Sequence, residues 1–91
     1  MIFEWDPKKA TKNFRKHKVS FVEAATVFSD PFSATSVDPD HSEAENRLVI
    51  IGQSNRRRLL IVAFTERGDR VRVISARELT HLERKVYEEA S

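Results

Sequence analysis

The sequence predicts an α+β fold: an N-terminal strand, two helices, an antiparallel sheet of three to four strands and a C-terminal helix. Two observations carry that expectation. Residues 58–77 are the longest β-prone run in the chain and hold a turn signal at their middle, so they read as a hairpin. Around them lie three helix-start signals: Asp6-Pro7, Ser20 with Glu23, and Thr80 with Glu83.

In the hairpin, Leu59 to Thr65 is apolar on both faces, which suits a central strand, and Glu66-Arg67-Gly68-Asp69 supplies the turn, with Gly68 free to take positive φ. Strict alternation along the return strand puts Arg70, Arg72, Ile74 and Ala76 on one face. It puts Val71, Val73, Ser75 and Arg77 on the other. Any one of these arginines is more often a solvated or carboxylate-paired surface charge than a ligand site. Arginines at the middle and the end of one strand, beside the Ser75 hydroxyl, point as a group to an anionic substrate, because a guanidinium fork matches two phosphate oxygens.

Ile2 to Trp5 alternates as a short strand, with Phe3 and Trp5 on one face. Asp6 then caps a helix with Pro7 in its first turn. From Lys8 to Lys18 this helix carries Lys8, Lys9, Lys12, Arg15, Lys16 and Lys18 with no acidic residue. Ala10, Phe14 and His17 fall at helical spacing as its inward side. Such a basic helix suits either a solvated face or one that meets an acidic partner or nucleic acid. Phe21, Ala24, Ala25 and Phe28 make the inward stripe of a second helix, read as core and not as a base-stacking platform.

Asp30-Pro31 ends that helix, and residues 32–37 form a short strand. Asp38 to Glu45 gathers Asp38, Asp40, His41, Glu43 and Glu45, which read as an exposed loop ahead of a metal site because no ligand spacing is kept. Strand character resumes at residues 46–52, and Ser54-Asn55-Arg56-Arg57 turns into the hairpin. In the last helix, Leu79, Leu82 and Val86 fall on the inward side. Tyr87 reads as a half-buried anchor with its hydroxyl wet, and His81 as exposed.

Ninety-one residues, 40% hydrophobic and 33% charged, suit one folded domain over residues 1–91. The net charge of +2 is slight, but arginine outnumbers lysine and the cations cluster, so local potential matters more than the total. Without cysteine there can be no disulfide, thiol nucleophile or thiolate metal site. The lack of a long apolar run and of a basic-then-apolar leader leads us to expect a reducing, cytoplasmic setting without membrane contact.

Several stretches taken together are similar to the BrnT family of bacterial toxins. They are Phe3-Glu4-Trp5-Asp6-Pro7 with Lys9, Asn13, Lys16-His17, Val19-Ser20-Phe21, Ala24-Ala25, Phe28, Asp30-Pro31, Glu45, Arg47, Ile51-Gly52, Leu59-Leu60, Arg67, and Arg72-Val73-Ile74-Ser75-Ala76-Arg77. The likeness runs from Ile2 to Tyr87. It implies a RelE-like fold, a ribonuclease that blocks translation, and a BrnA-type antitoxin partner through which alone the complex touches DNA. Lys18 and Arg57 stand where the family commonly has glycine, so a different bend is expected at each.

RNA cleavage by attack of the 2′-hydroxyl needs a base, an acid and cations around the reacting phosphate. The expected catalytic set is Arg67, Arg72, Arg77, Lys9, His17 and Tyr87, with Arg72 and Arg77 as the phosphate clamp, Arg67 reaching a flanking phosphate, and His17, Tyr87 and Lys9 for proton transfer. Lys8, Lys12, Lys16, Arg57, Arg58 and Ser75 are the expected RNA contacts. No metal or other cofactor is expected. The competing reading is a non-catalytic basic module that docks an acidic protein or nucleic acid.

Overall fold

Residues 1–38 and 46–90 are described by the structure, a computed structural model. The acidic stretch with Asp40, His41, Glu43 and Glu45 therefore lies outside the described residues. Five strands form one sheet: β1 (Ile2–Glu4), β2 (Ala34–Val37), β3 (Leu48–Gln53), β4 (Leu59–Arg67) and β5 (Arg70–Glu78), in the order β1-β5-β4-β3-β2. The expectation of three to four antiparallel strands is corrected twice. The sheet has five strands, and it is mixed, because β1 pairs in parallel with β5, Phe3 opposite Val71. A three-residue strand carries too little pattern to announce its partner.

The apolar run of β4 occupies the centre of the sheet as its two-faced composition requires. Gly68, at φ 63°, opens a two-residue turn into β5. Along β5 strict alternation fails. Ser75 pairs with Ala63 but Val73 pairs with Phe64, so Ile74 is an extra residue, a β-bulge. The bulge shifts the phase by one. Val71, Val73 and Ala76 all enter the core, while Arg72, Ser75 and Arg77 share the opposite face with their partners Thr65, Ala63 and Ile61.

Helices α1 (Pro7–His17) and α2 (Phe21–Thr26), continued by a 3₁₀ turn at Val27–Ser29, cover the core face. Val19, Phe21, Ala24 and Val27 bury against Ile50, Leu60, Val62 and Phe64. Aromatic edges close the rest: Phe28 meets Phe64 at 4.9 Å and Phe3 at 5.1 Å, and Trp5 meets Phe21 at 5.9 Å. Gly52 allows this packing, since a Cβ there would stand 3.0 Å from Asp30 Oδ2 and from Ser33 Cβ.

Asp6 caps α1 as expected, its carboxylate accepting from the Lys8 amide at 2.8 Å. The inward face of α1 is different. Phe14 is 49% exposed, and Asn13 is buried instead. Its amide donates to the carbonyls of Val19 (3.0 Å) and Ala76 (2.8 Å), and its carbonyl accepts from the Ala76 amide at 3.1 Å. Three backbone groups, two of Ala76 on the side of β5 where β1 no longer reaches and one of Val19 in the α1–α2 turn, are thus satisfied by one side chain.

Ser20 caps α2 through the Glu23 amide, but Glu23 does not reciprocate. Its carboxylate is buried and binds Arg58 through both Nε and Nη2 and the Ser54 hydroxyl. Hydrogen bonding from Arg58 chiefly lowers the pKa of Glu23, and Glu23 raises that of Arg58. Lys18 (φ 59°) and Arg57 (φ 61°) both keep the left-handed conformation. At both positions a residue with a side chain takes the conformation that glycine adopts freely, at a cost of roughly 1 kcal/mol each.

Helix α3 (His81–Ala90) starts with a complete capping box: the Thr80 amide donates to Glu83 Oε1 (2.8 Å) and the Glu83 amide to Thr80 Oγ1 (3.2 Å). Its expected inward stripe is corrected, for Leu82 and Val86 are 70% and 59% exposed. What ties α3 to the sheet is polar. Arg77 donates from Nη1 and Nη2 to the two Glu83 oxygens at 2.7 and 3.0 Å, and Arg77 holds the Glu83 carboxyl at a pKa of about 2.

Three outcomes follow. Lys18→Gly and Arg57→Gly should each raise the melting temperature, by about 0.5–1 kcal/mol of stability, in thermal unfolding. Asn13→Ala should cost about 2–4 kcal/mol in denaturant titrations, because it orphans buried backbone groups. The Glu83 contribution is fully present above its ordinary value of 4.5 and is lost as pH falls through about 2. Amide protection factors in α3, which correct for the pH dependence of intrinsic exchange, should accordingly hold at pH 4.5, fall towards pH 2, and be lower at neutral pH in Glu83→Gln than in the unaltered chain.

Candidate functional site

The bulge sets the site, because it delivers two arginines and a serine of β5 to the sheet face opposite α1 and α2. A first cleft of about 430 Å³ lies there, lined by Lys16 and His17 from the end of α1, Ser75 and Arg77 from β5, Val49, Ile61 and Ala63 of the sheet floor, and Asp38, Arg47 and Glu83. A second, of about 380 Å³, is lined by Lys9, Asn46, Arg47, Thr65, Glu66, Arg67, Arg72 and Ile74. Arg47 borders both.

The expected residues therefore divide. His17, Ser75, Arg77 and Lys16 come together in the first cleft, and Lys9, Arg67 and Arg72 in the second. The αL turn at Lys18 ends α1 so that His17 lies at its last turn, half-buried at the cleft wall. Arg72 and Arg77 share a face, yet they border different clefts instead of forming one clamp. Each is paired with a carboxylate: Arg72 Nη1 donates to Glu4 Oε2 at 3.0 Å, and Arg77 grips Glu83. Hydrogen bonding from Arg72, then from Arg70, lowers the pKa of Glu4. Hydrogen bonding to Glu83 raises that of Arg77.

Other expected residues lie elsewhere. Tyr87 lines neither cleft. Its hydroxyl faces the Phe32 carbonyl at 3.5 Å, and burial, with Asp30 second, raises its pKa. Arg58 is committed to Glu23 and also donates to the Lys18 carbonyl at 3.0 Å, so it braces the core-side turn. Arg57 is exposed in the β3–β4 turn, and Lys8 and Lys12 are exposed on α1 outside both clefts.

Sequence reasoning missed four residues that the clefts contain. Asp38, expected in an exposed loop, is buried beside β3, its amide donating to the Arg47 carbonyl at 2.9 Å. Thr65 Oγ1 is buried beneath the second cleft without a hydrogen-bond partner among the described residues. Glu83 had been assigned only to a cap. Arg47 was signalled by parity, since it precedes Val49 and Ile51 at the two-residue spacing of one strand face. No group of His, Asp and Glu suited to a metal ion occurs among the described residues. No described helix is long and apolar enough to cross a membrane.

No curated protein matches the chain. Among solved structures, the 1.1 Å crystal structure of the Brucella abortus ribonuclease toxin BrnT is similar, with a TM-score of 0.65 and 27% identity, covering 89% of this chain and 100% of that one. Residues 5–83 match the family described as the ribonuclease toxin, BrnT, of type II toxin–antitoxin systems. The chain belongs to the BrnT family of ribonuclease toxins.

Proposed function

We propose that this chain is a metal-independent endoribonuclease that arrests translation in the cytoplasm as a single RelE-like domain, and that a BrnA-type antitoxin neutralises it by covering the cleft face. The observation that carries the reading is the meeting of His17, Ser75, Arg77 and Lys16 over one sheet face. In this reaction the 2′-oxygen attacks phosphorus and the bond to the 5′-oxygen breaks. The 2′-hydroxyl proton leaves to a base, and the 5′-oxygen receives a proton from an acid. The products are a 2′,3′-cyclic phosphate and a 5′-hydroxyl.

His17 is the imidazole of the first cleft, and imidazole is the side chain that exchanges protons near neutral pH. It exchanges the proton at the 2′- or 5′-oxygen. Arg77 meets the charge that gathers on the non-bridging oxygens, with Lys16 beside it and Ser75 as a neutral hydrogen-bonding group. Glu83 holds Arg77 until the phosphate takes its place. Tyr87, facing Phe32, is not assigned a proton-transfer role.

Purified protein incubated with RNA in excess chelator should yield fragments with cyclic-phosphate ends. Arg77→Ala and His17→Ala should each lower the cleavage rate by on the order of 10²-fold while circular dichroism is unchanged. Full activity in both variants would remove this assignment of the cleft. RNA bound with steep salt dependence but never cut would favour the binding-module reading instead.

A further inference from the structure

The second cleft differs from the first in chemistry. It gathers Lys9 from α1, Arg67 from the end of β4, Arg72 from β5 and Arg47 from the approach to β3, with Glu66 as the acidic residue among its described lining. Among the described residues it contains no imidazole. Lys9, Arg67 and Arg72, brought together from three chain segments, repel one another, and the carboxylates of Glu66 and of Glu4, which pairs with Arg72, offset them only in part. A local surplus of positive charge on that scale suits an anion that does not react there.

The sheet also fixes the spacing. Arg77 pairs with Ile61 and Arg72 with Thr65, so β4, which is free of the extra residue, serves as the ruler. Those positions are four strand residues apart, about 13 Å. If three backbone bonds reach about 3.5 Å, a six-bond sugar–phosphate repeat reaches about 7 Å, and two such repeats join the clefts. Arg47, on the border of both, lies along that path.

We infer that the second cleft is a phosphate subsite which holds the RNA backbone two nucleotides from the phosphate reacting at Arg77, so that productive RNA spans at least three nucleotides. The inference rests on the ribonuclease reading for the identity of the strand. It places Arg72, Lys9 and Arg67 in substrate holding, and leaves the bond-breaking charge to Arg77.

Fluorescence anisotropy with uncleavable 2′-O-methyl oligonucleotides tests it. The protein should bind a pentanucleotide at least tenfold more tightly than a dinucleotide, with a salt slope steeper by about 0.7 for each further phosphate neutralised. The Lys9→Ala, Arg67→Ala double variant, whose changes fall on exposed side chains, should bind both lengths alike. A pentanucleotide bound no more tightly than the dinucleotide, no binding of either, or a length gain kept by the variant would overturn the subsite. Unmodified pentanucleotide bound with the length gain but left uncut would uphold the subsite and overturn the ribonuclease reading.

Discussion

The bulge at Ile74, and the side chain of Asn13 that satisfies the backbone beside it, is the constraint on which the rest of the molecule depends. A regular strand would bury either Arg72 or Arg77 in the core, since five residues separate them and side chains alternate with period two. One extra residue removes that conflict. Val71 and Val73 enter the core before it and Ala76 after it, and both arginines emerge on the far face. Beyond Arg72 β5 has outrun β1, and there α1 is close enough for one amide side chain to take the open backbone groups of Ala76. The same side chain holds the Val19 carbonyl, so the end of α1 with His17 and the end of β5 with Ser75 and Arg77 are positioned together.

That coupling explains what could be read from the sequence and what could not. The caps at Asp6, Ser20 and Thr80, the turn at Gly68 and the central place of β4 are local chemistry, and each was legible. The bulge was not, because Arg-Val-Arg-Val-Ile-Ser-Ala-Arg fits plain alternation, and only the register against β4 reveals the slip. Asn13 was hidden for a related reason. A polar residue on an amphipathic helix reads as outward unless buried backbone groups across the chain require it. Phe14 was assigned inward by spacing alone, and is half exposed because Asn13 takes the facing position.

The site was legible as a composition and not as an arrangement. His17, Ser75 and Arg77 could be singled out by residue type, and their meeting in one cleft follows from a fold no local pattern records. Glu83 shows the opposite failure. Its capping role was readable from Thr80, and its grip on Arg77 was not, although Arg77 and Glu83 are only six positions apart. Arg58 reads like the site arginines in sequence. Glu23, buried across the sheet from the clefts, withdraws it from them.

The carboxylates beside Arg72 and Arg77 then bear on how substrate can bind at all. Each pair is partly solvent-exposed, so it contributes little to stability, but it fixes a long side chain that would otherwise lose about 0.5–1.5 kcal/mol of rotamer freedom on meeting a ligand. A phosphodiester offers Arg77 the same two-oxygen geometry that Glu83 already supplies, so exchanging one for the other changes the free energy only slightly. Affinity for RNA must come from charges that have no such exact substitute. Those are the cations in excess of carboxylates, and among the described residues lining the clefts the second cleft holds the larger excess. On the proposed reading, chemistry at the first cleft and holding at the second are two consequences of one charge distribution along the bulged strand.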